Sequence, residues 1–282
     1  MAYFKYVTEE RIDVLRTLKI RYTQISALND PFEALPAIEQ PLSEKEYEVH
    51  ARKEIRRHTR NLPGATPLRL KEFRKKLLAD AMNDFSHEQG AIAAKRYQSR
   101  IRSITDFTLG FLCLSKTPSN ILMWSHYADC HRGMVLEFDS HHDYFRHGTE
   151  DVVYSDRRPS MTLHDEHPTT EILRTKSLDW AYEEEVRRNE SLSPKKKPTS
   201  GGGHIILAPS DASEDPKKIH LFDIPKDLIT GVILGWKTSV SFRSQVRDAA
   251  KELGIRSTKI RQAIPSRREY KMDIVEFNNT SD

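Results

Sequence analysis

The chain has 282 residues, 37% of them hydrophobic and 30% charged, with a mean hydropathy of −0.65. That is enough apolar material for one or two cored domains, and the lack of any run of about 18 apolar residues excludes a membrane-spanning helix. The formal charge is +4, and the two cysteines, Cys113 and Cys130, are too few for a disulfide framework or a four-cysteine zinc site. The opening MAYFKYVTEER has no apolar signal segment. The expectation is a reduced, cytoplasmic, globular protein without membrane contact.

Residues 1–41 predict a short strand, a helix and an extended segment. Thr8 is placed to cap a helix that opens with Glu9 and Glu10, acids suited to its positive end. IRYTQIS (20–26) reads as a strand and LNDPFE (28–33) as a turn, because Pro31 forces Asp30 out of the helical region. Residues 42–106 read as helical. Ser43 with Glu46 forms a capping box, Thr66 with Pro67 opens a second helix after NLPGATP, and a third runs from about Phe85 to Ile104.

From residue 107 the pattern is mixed. FTLGFLCLS (107–115) is strand-like, and SNILMWSHYAD (119–129) is helical with Ser119 as its cap. GMVLEFD (133–139) and DVVYS (151–155) alternate as strands, and LITGVILGW (228–236) reads as a buried strand. SVSFRSQVRDAAKELG (239–254) predicts a helix stopped at Gly254, and REYKMDIVEF (268–277) a last strand. SPKKKPTSGGG (193–203) and LAPSDASEDPKK (207–218) read as loops. The class is a single α+β domain carrying a helical insertion at about 42–106.

The charge is uneven. Residues 52–76 hold ten basic side chains (Arg52, Lys53, Arg56, Arg57, Arg60, Arg69, Lys71, Arg74, Lys75, Lys76) against Glu54 and Glu72, a net +8. Lys95, Arg96, Arg100 and Arg102 add to it. Such a concentration suits phosphates, so Arg52, Lys53, Arg56, Arg57, Arg74, Lys75 and Lys76 are candidate nucleic-acid contacts. The plain alternative is a solvated helix surface.

No P-loop, GxGxxG, HExxH or GxSxG is present. His126, Asp129, Cys130 and His131 match no standard metal spacing, so no metal is expected. Trp124, His126 and Tyr127 are too close in sequence to face one way; either His126 or Tyr127 faces a pocket, or all three serve packing and capping. TKSLDWAYEEEVRRNE (175–190) is the most pointed signal. As a strand it puts Glu183, Glu185 and Arg187 on one face and Trp180, Tyr182, Glu184 and Val186 on the other. Two neighbouring carboxylates split in pKa, and a guanidinium holds one ionised or grips a phosphate. The alternatives are an exposed salt-bridged strand, or a helix pairing Glu183 with Arg187. LNDPFE offers Asn29, Asp30 and Glu33, either at a pocket mouth or simply as a turn.

Taken together, FKY (4–6), LNDPFE (28–33), CLS (113–115), ILMWSHYADCHRGMVLEFD (121–139), VVYS, RP and TKSLDWAYEEEVR (175–187) resemble the family of domain of unknown function 2971 in content and order. The resemblance covers roughly residues 3–190 and touches the last third only at VILG (232–235). The order of elements is also distantly similar to the ADP-ribosyltransferase fold, a split, mainly antiparallel sheet that binds NAD. That similarity implies a first-strand polar residue (Lys5, Tyr6 or Arg21), a middle Ser115 or Tyr127, and the late pair Glu183 and Glu185. No Ser-Thr-Ser follows the pattern, and the first strand lacks a plain Arg or His. It further implies NAD as substrate, with Arg187 orienting the glutamates or holding phosphate and Asn29, Asp30, Trp124 and Trp180 at the ligand. His126 would position substrate.

Three readings follow. The first is an enzyme acting on an N-glycosidic bond, an NAD-using ADP-ribosyltransferase-like effector of a toxin or phage-defence kind with a nucleic-acid target. The second is a nucleic-acid enzyme, a base-excising glycosylase or nuclease, that ignores NAD. The third is a non-catalytic binding module in which the Glu-Glu-Arg row is structural.

Overall fold

The computed structural model describes residues 1–38, 43–59, 66–88, 91–161, 170–192 and 218–277. In chain order it contains β1 (Ala2–Val7), α1 (Asp13–Thr17), β2 (Lys19–Tyr22), β3 (Ala37–Ile38), α2 (Glu44–His58), α3 (Pro67–Glu88), α4 (Ala91–Thr108), β4 (Leu109–Ser115), α5 (Ile121–Tyr127), β5 (Met134–Asp139) and β6 (Thr149–Asp151). There follow β7 (Val153–Ser155), β8 (Ser160–Met161), α6 (Thr170–Arg174), β9 (Thr175–Ser177), β10 (Glu185–Ser191), β11 (His220–Asp223), β12 (Ile229–Leu234), α7 (Val240–Leu253), β13 (Ile260–Pro265) and β14 (Met272–Glu276). The expected loop at 193–203, nearly all of that at 207–218, and Arg60 lie outside the described residues. The chain divides into two compact units: residues 1–33, 105–157 and 174–282 form one, and residues 34–104 and 158–173 the other.

The first unit is an α+β structure on an eight-stranded sheet, order β14-β13-β12-β5-β1-β4-β10-β6. Every pairing in it is antiparallel except β12 with β13. Strand alternation sorts the side chains into two layers. Val7, Leu112, Leu114, Leu136 and Val232 join one core with Leu15 of α1 and Phe242 and Val246 of α7. Phe4, Tyr6, Val135 and Ile233 join another with Met123 and Trp124 of α5. Each such fully buried aliphatic or aromatic side chain contributes about 1.5–3 kcal/mol by leaving water. α7 is set by Ser239, whose hydroxyl accepts from the Phe242 amide at 3.2 Å, and stops at Gly254, where φ is 81°.

β1 runs beside β5 over its whole length but meets β4 at a single paired position, Phe4 opposite Ser115. Beyond it the strands are bridged by side chains. Lys5 Nζ donates to the Cys113 carbonyl at 2.8 Å, and the Tyr6 hydroxyl donates to the Thr117 carbonyl at 2.8 Å. This parting of the sheet shapes the site.

The second unit holds α2 and α3 packed together, and β3 paired in parallel with β8. The Ser43–Glu46 capping box forms as expected. Pro67 opens α3, and the Thr66 hydroxyl accepts from the Arg69 amide at 3.4 Å.

Several local expectations are corrected. Thr8 makes no side-chain cap, and Glu9–Ile12 is a 3-10 turn before α1. The strand expected over 20–26 ends at Tyr22, with a 3-10 turn at Ile25–Ala27. Asn120, not Ser119, caps α5, its side-chain oxygen accepting from Leu122 and Met123 at 2.9 and 3.2 Å. The helix expected from Phe85 is two: α3 runs to Glu88 and α4 starts at Ala91. Residues 175–190 are neither one strand nor one helix. They form β9, a 3-10 turn over Leu178–Glu183, a left-handed Glu184 (φ 45°) and β10. A carboxylate side chain alternating with others could not reveal the break; the left-handed residue makes it.

Candidate functional site

β10 carries Glu185 and Arg187 on one face and Arg188 on the other. Arg188 turns away to donate to the Tyr22 hydroxyl at 2.6 Å and to Glu190 at 2.9 Å. Arg187 is 4% exposed and lies between two carboxylates. It donates to Glu33 at 2.6 and 2.9 Å, and to Glu185 at 2.8 and 3.1 Å. Such two-pronged contacts suit the planar guanidinium.

Lys176, on β9 and 6% exposed, lies between the two glutamates of the motif. It donates to Glu183 Oε2, and to Glu185 Oε2 at 3.2 Å. The Trp180 ring lies 4.6 Å from its nitrogen and covers it. The remaining oxygen of Glu183 accepts from the Tyr127 hydroxyl at 2.6 Å, and that hydroxyl in turn accepts from Asn29 Nδ2 at 2.8 Å.

The buried charges nearly balance. Glu33 and Glu185 offset Arg187 and Lys176, and Glu183 is the surplus anion. Burial pushes the Glu183 carboxyl above its ordinary range; Lys176 opposes this and the Glu185 charge adds to it. Burial would also raise Glu185, but the Arg187 guanidinium more than reverses this, with Lys176 helping, and holds it at about 2. The two carboxyls are therefore driven apart, one toward carrying a proton and one firmly ionised. Burial and the Glu183 charge together push the Tyr127 hydroxyl well above its ordinary value, so it stays a donor.

These groups line a cavity of about 260 Å³ at the parting of β1 and β4. Lys5, Tyr6, Arg21, Asn29, Ser115, Tyr127, Glu183, Glu185 and Arg187, singled out from sequence, all lie on its wall. Arg21 Nε is buried there with no hydrogen-bond partner among the described residues. Ser115 is tied locally: its hydroxyl accepts from the Thr117 amide and donates to the Thr117 carbonyl, both at 3.1 Å.

Other candidates stand elsewhere. Trp124 is fully buried, edge-on to Tyr6 at 5.3 Å, with its ring nitrogen donating to the Pro118 carbonyl at 2.8 Å; it is a core residue, not a ligand contact. His126 is exposed and 3.0 Å from the Tyr182 hydroxyl, off the cavity wall. Asp30 is 2% exposed and holds the turn, accepting from the Phe32 amide at 2.8 Å. Trp180 acts through Lys176. Lys176, Cys113 and Thr23 line the cavity without being sequence candidates, and Glu33, expected either at a pocket mouth or in a turn, lines it too. A lone lysine between Thr175 and Ser177 carries no sequence signal of burial.

In the second unit Arg52 pairs with Glu48 at 2.6 Å and Arg57 with Glu54 at 3.6 Å. Arg74 donates to the Thr59 hydroxyl at 2.6 Å and to its carbonyl at 3.3 Å, finishing α2. Lys53, Arg56, Lys75 and Lys76 are exposed.

Among the described residues, no group of His, Cys, Asp and Glu is arranged to hold a metal ion, and no helix is long and apolar enough to cross a membrane. Residues 123–188 match the family described as "Protein of unknown function (DUF2971)", so the chain carries that family's signature from α5 into β10. No curated protein and no solved structure matches the chain.

Proposed function

We propose that this protein is an enzyme that cleaves an N-glycosidic bond, with NAD as the donor, in the manner of an ADP-ribosyltransferase. The observation that carries the reading is the pair Glu183 and Glu185, with carboxyls driven in opposite directions, on the wall of one cavity. Breaking the bond between ribose C1′ and the nicotinamide nitrogen sends the electron pair to the ring and leaves positive charge on the sugar. Glu185, ionised and held by Arg187, stabilises that charge. Glu183, whose raised proton affinity makes it the stronger base of the pair, takes in its ionised form the proton that the attacking group loses as it bonds to C1′.

The cavity's size supports this use. At about 260 Å³ it suits one ring and its sugar rather than a whole dinucleotide. The unspent donor of Arg21 and the Lys5 ammonium suit the phosphate that follows.

The test is to incubate the protein with NAD, with and without DNA and RNA, and follow nicotinamide release and nucleic-acid mass. Nicotinamide release that vanishes in Glu185→Gln supports the reading, and a mass gain on nucleic acid names the acceptor. Loss of bases or cutting of strands without NAD turnover replaces it with the nucleic-acid enzyme, a reading favoured by the exposed Arg56, Lys75 and Lys76. Full activity in Glu185→Gln overturns it.

A further inference from the structure

A second concavity, of about 620 Å³, lies on the other side of α5. Met123 and Tyr127 of that helix face the cavity with the glutamates, and Ile121 and Ser125 face this cleft. The split follows from helical spacing, since residues four apart share a face. The opposite wall is the loop joining β13 to β14, residues 266–271, closed by the Ser266 amide on the Lys271 carbonyl at 3.0 Å.

The cleft's chemistry is specific. Tyr270 is 99% exposed and Trp236 is 42% exposed, so both rings reach solvent. Lys237 lies over the Trp236 ring at 5.3 Å. Arg267 and Arg268 are exposed and have no ion-pair partner among the described residues. The loop's carboxylate, Glu269, is taken by Lys271. On the inner wall His131 stacks against Trp124 at 6.2 Å and leaves Nδ1 buried without a partner among the described residues. Burial and the Lys237 charge lower its pKa, which keeps the ring neutral and able to accept or donate.

Exposed rings flanked by cations are what a strand of unpaired nucleotides requires. The bases stack on aromatic faces and the phosphates meet the guanidinium and ammonium groups. A duplex would hide its base faces and leave the rings unused. We propose that this cleft binds single-stranded nucleic acid, with Trp236 and Tyr270 as stacking platforms and Arg267, Arg268 and Lys237 on the backbone. The site is separate from the glutamate cavity, and its binding does not depend on the proposed reaction.

Fluorescence anisotropy with a labelled twelve-nucleotide oligothymidylate, the oligouridylate and a duplex of the same length tests it on the full chain. Binding should weaken about 5- to 100-fold in Trp236→Ala and in Tyr270→Ala, as expected for a lost stacked base. Arg267→Gln with Arg268→Gln should flatten the dependence of log affinity on log salt by about 0.7 for each phosphate contact removed. Lys251→Gln with Arg256→Gln, exposed cations outside the cleft, should leave the affinity unchanged. Tyr270 is so exposed that its variant folds as the parent does, which circular dichroism checks. Three outcomes overturn the proposal: no binding at low salt, equal binding of the duplex, or loss only when Lys75 and Lys76 are replaced by Gln.

Discussion

Tyr127 and Glu183 are 56 residues apart in the chain and are joined by a 2.6 Å hydrogen bond in which the tyrosine donates. With Asn29 donating to the same hydroxyl at 2.8 Å, the bond ties the turn after β2, helix α5 and the end of the 3-10 turn into one wall. It favours the ionised form of Glu183. Tyr127→Phe should therefore move the Glu183 carboxyl further up and shift the limb of the pH–activity profile that it governs to higher pH. The same change should cost about 1–3 kcal/mol of stability, because a buried carboxylate oxygen loses its donor. A profile that does not move would mean that Glu183 is not the group being titrated.

Glu33 meets Arg187 through both oxygens, at 2.6 and 2.9 Å, with the two side chains 1% and 4% exposed. Removing one partner strands a buried charge. Glu33→Ala should lower stability by about 3–5 kcal/mol in urea unfolding. A loss under about 1 kcal/mol would show that Glu185 alone suffices for Arg187.

The two motif glutamates should give opposite pH dependences of stability. Glu185 is held down at about 2 from an ordinary 4.5, so its stabilising effect is complete above 4.5 and is lost as pH falls toward 2. Glu183 is raised above 4.5, so the folded state holds its proton longer than the unfolded state and stability declines as pH rises through that window. Unfolding midpoints measured from about pH 2 to 8 should lose the acid-side fall in Glu185→Gln. They should lose the decline above 4.5 in Glu183→Gln. Identical curves for both variants would contradict the assignment.

Two glycines separate close packing from backbone freedom. At Gly235 an added Cβ would lie 2.0 Å from the His131 carbonyl oxygen, and backbone cannot step aside cheaply. Gly235→Ala should cost about 1–3 kcal/mol or more. At Gly254 the space is open but φ is 81°, so Gly254→Ala should cost only about 1–2 kcal/mol. Thermal unfolding of the two variants should rank them in that order.

Strong local signals in the sequence did foretell local structure. The capping box at Ser43 and Glu46, the stop at Gly254, the apolar strands β4, β5 and β12, and the mixed α+β class all rest on interactions within a few residues. A dense charged motif also makes Glu183, Glu185 and Arg187 candidates, and all three lie on the cavity wall. What failed was what depends on distant partners. The motif at 175–190 reads as one strand or one helix, yet a left-handed Glu184 breaks it, and Glu183 reaches the cavity from a 3-10 turn. Trp124 was expected at the ligand and is core, because its ring nitrogen finds the Pro118 carbonyl.

Sequence by itself determined the elements and the chemistry on offer, since propensity, capping and periodicity are properties of neighbouring residues. Only the tertiary structure decided which charges meet. Lys176 between two glutamates, Glu33 against Arg187 across 154 positions, and the single Phe4–Ser115 pairing that opens the sheet are set by strand order. A buried charge is tolerated only where its partner is delivered from elsewhere in the chain.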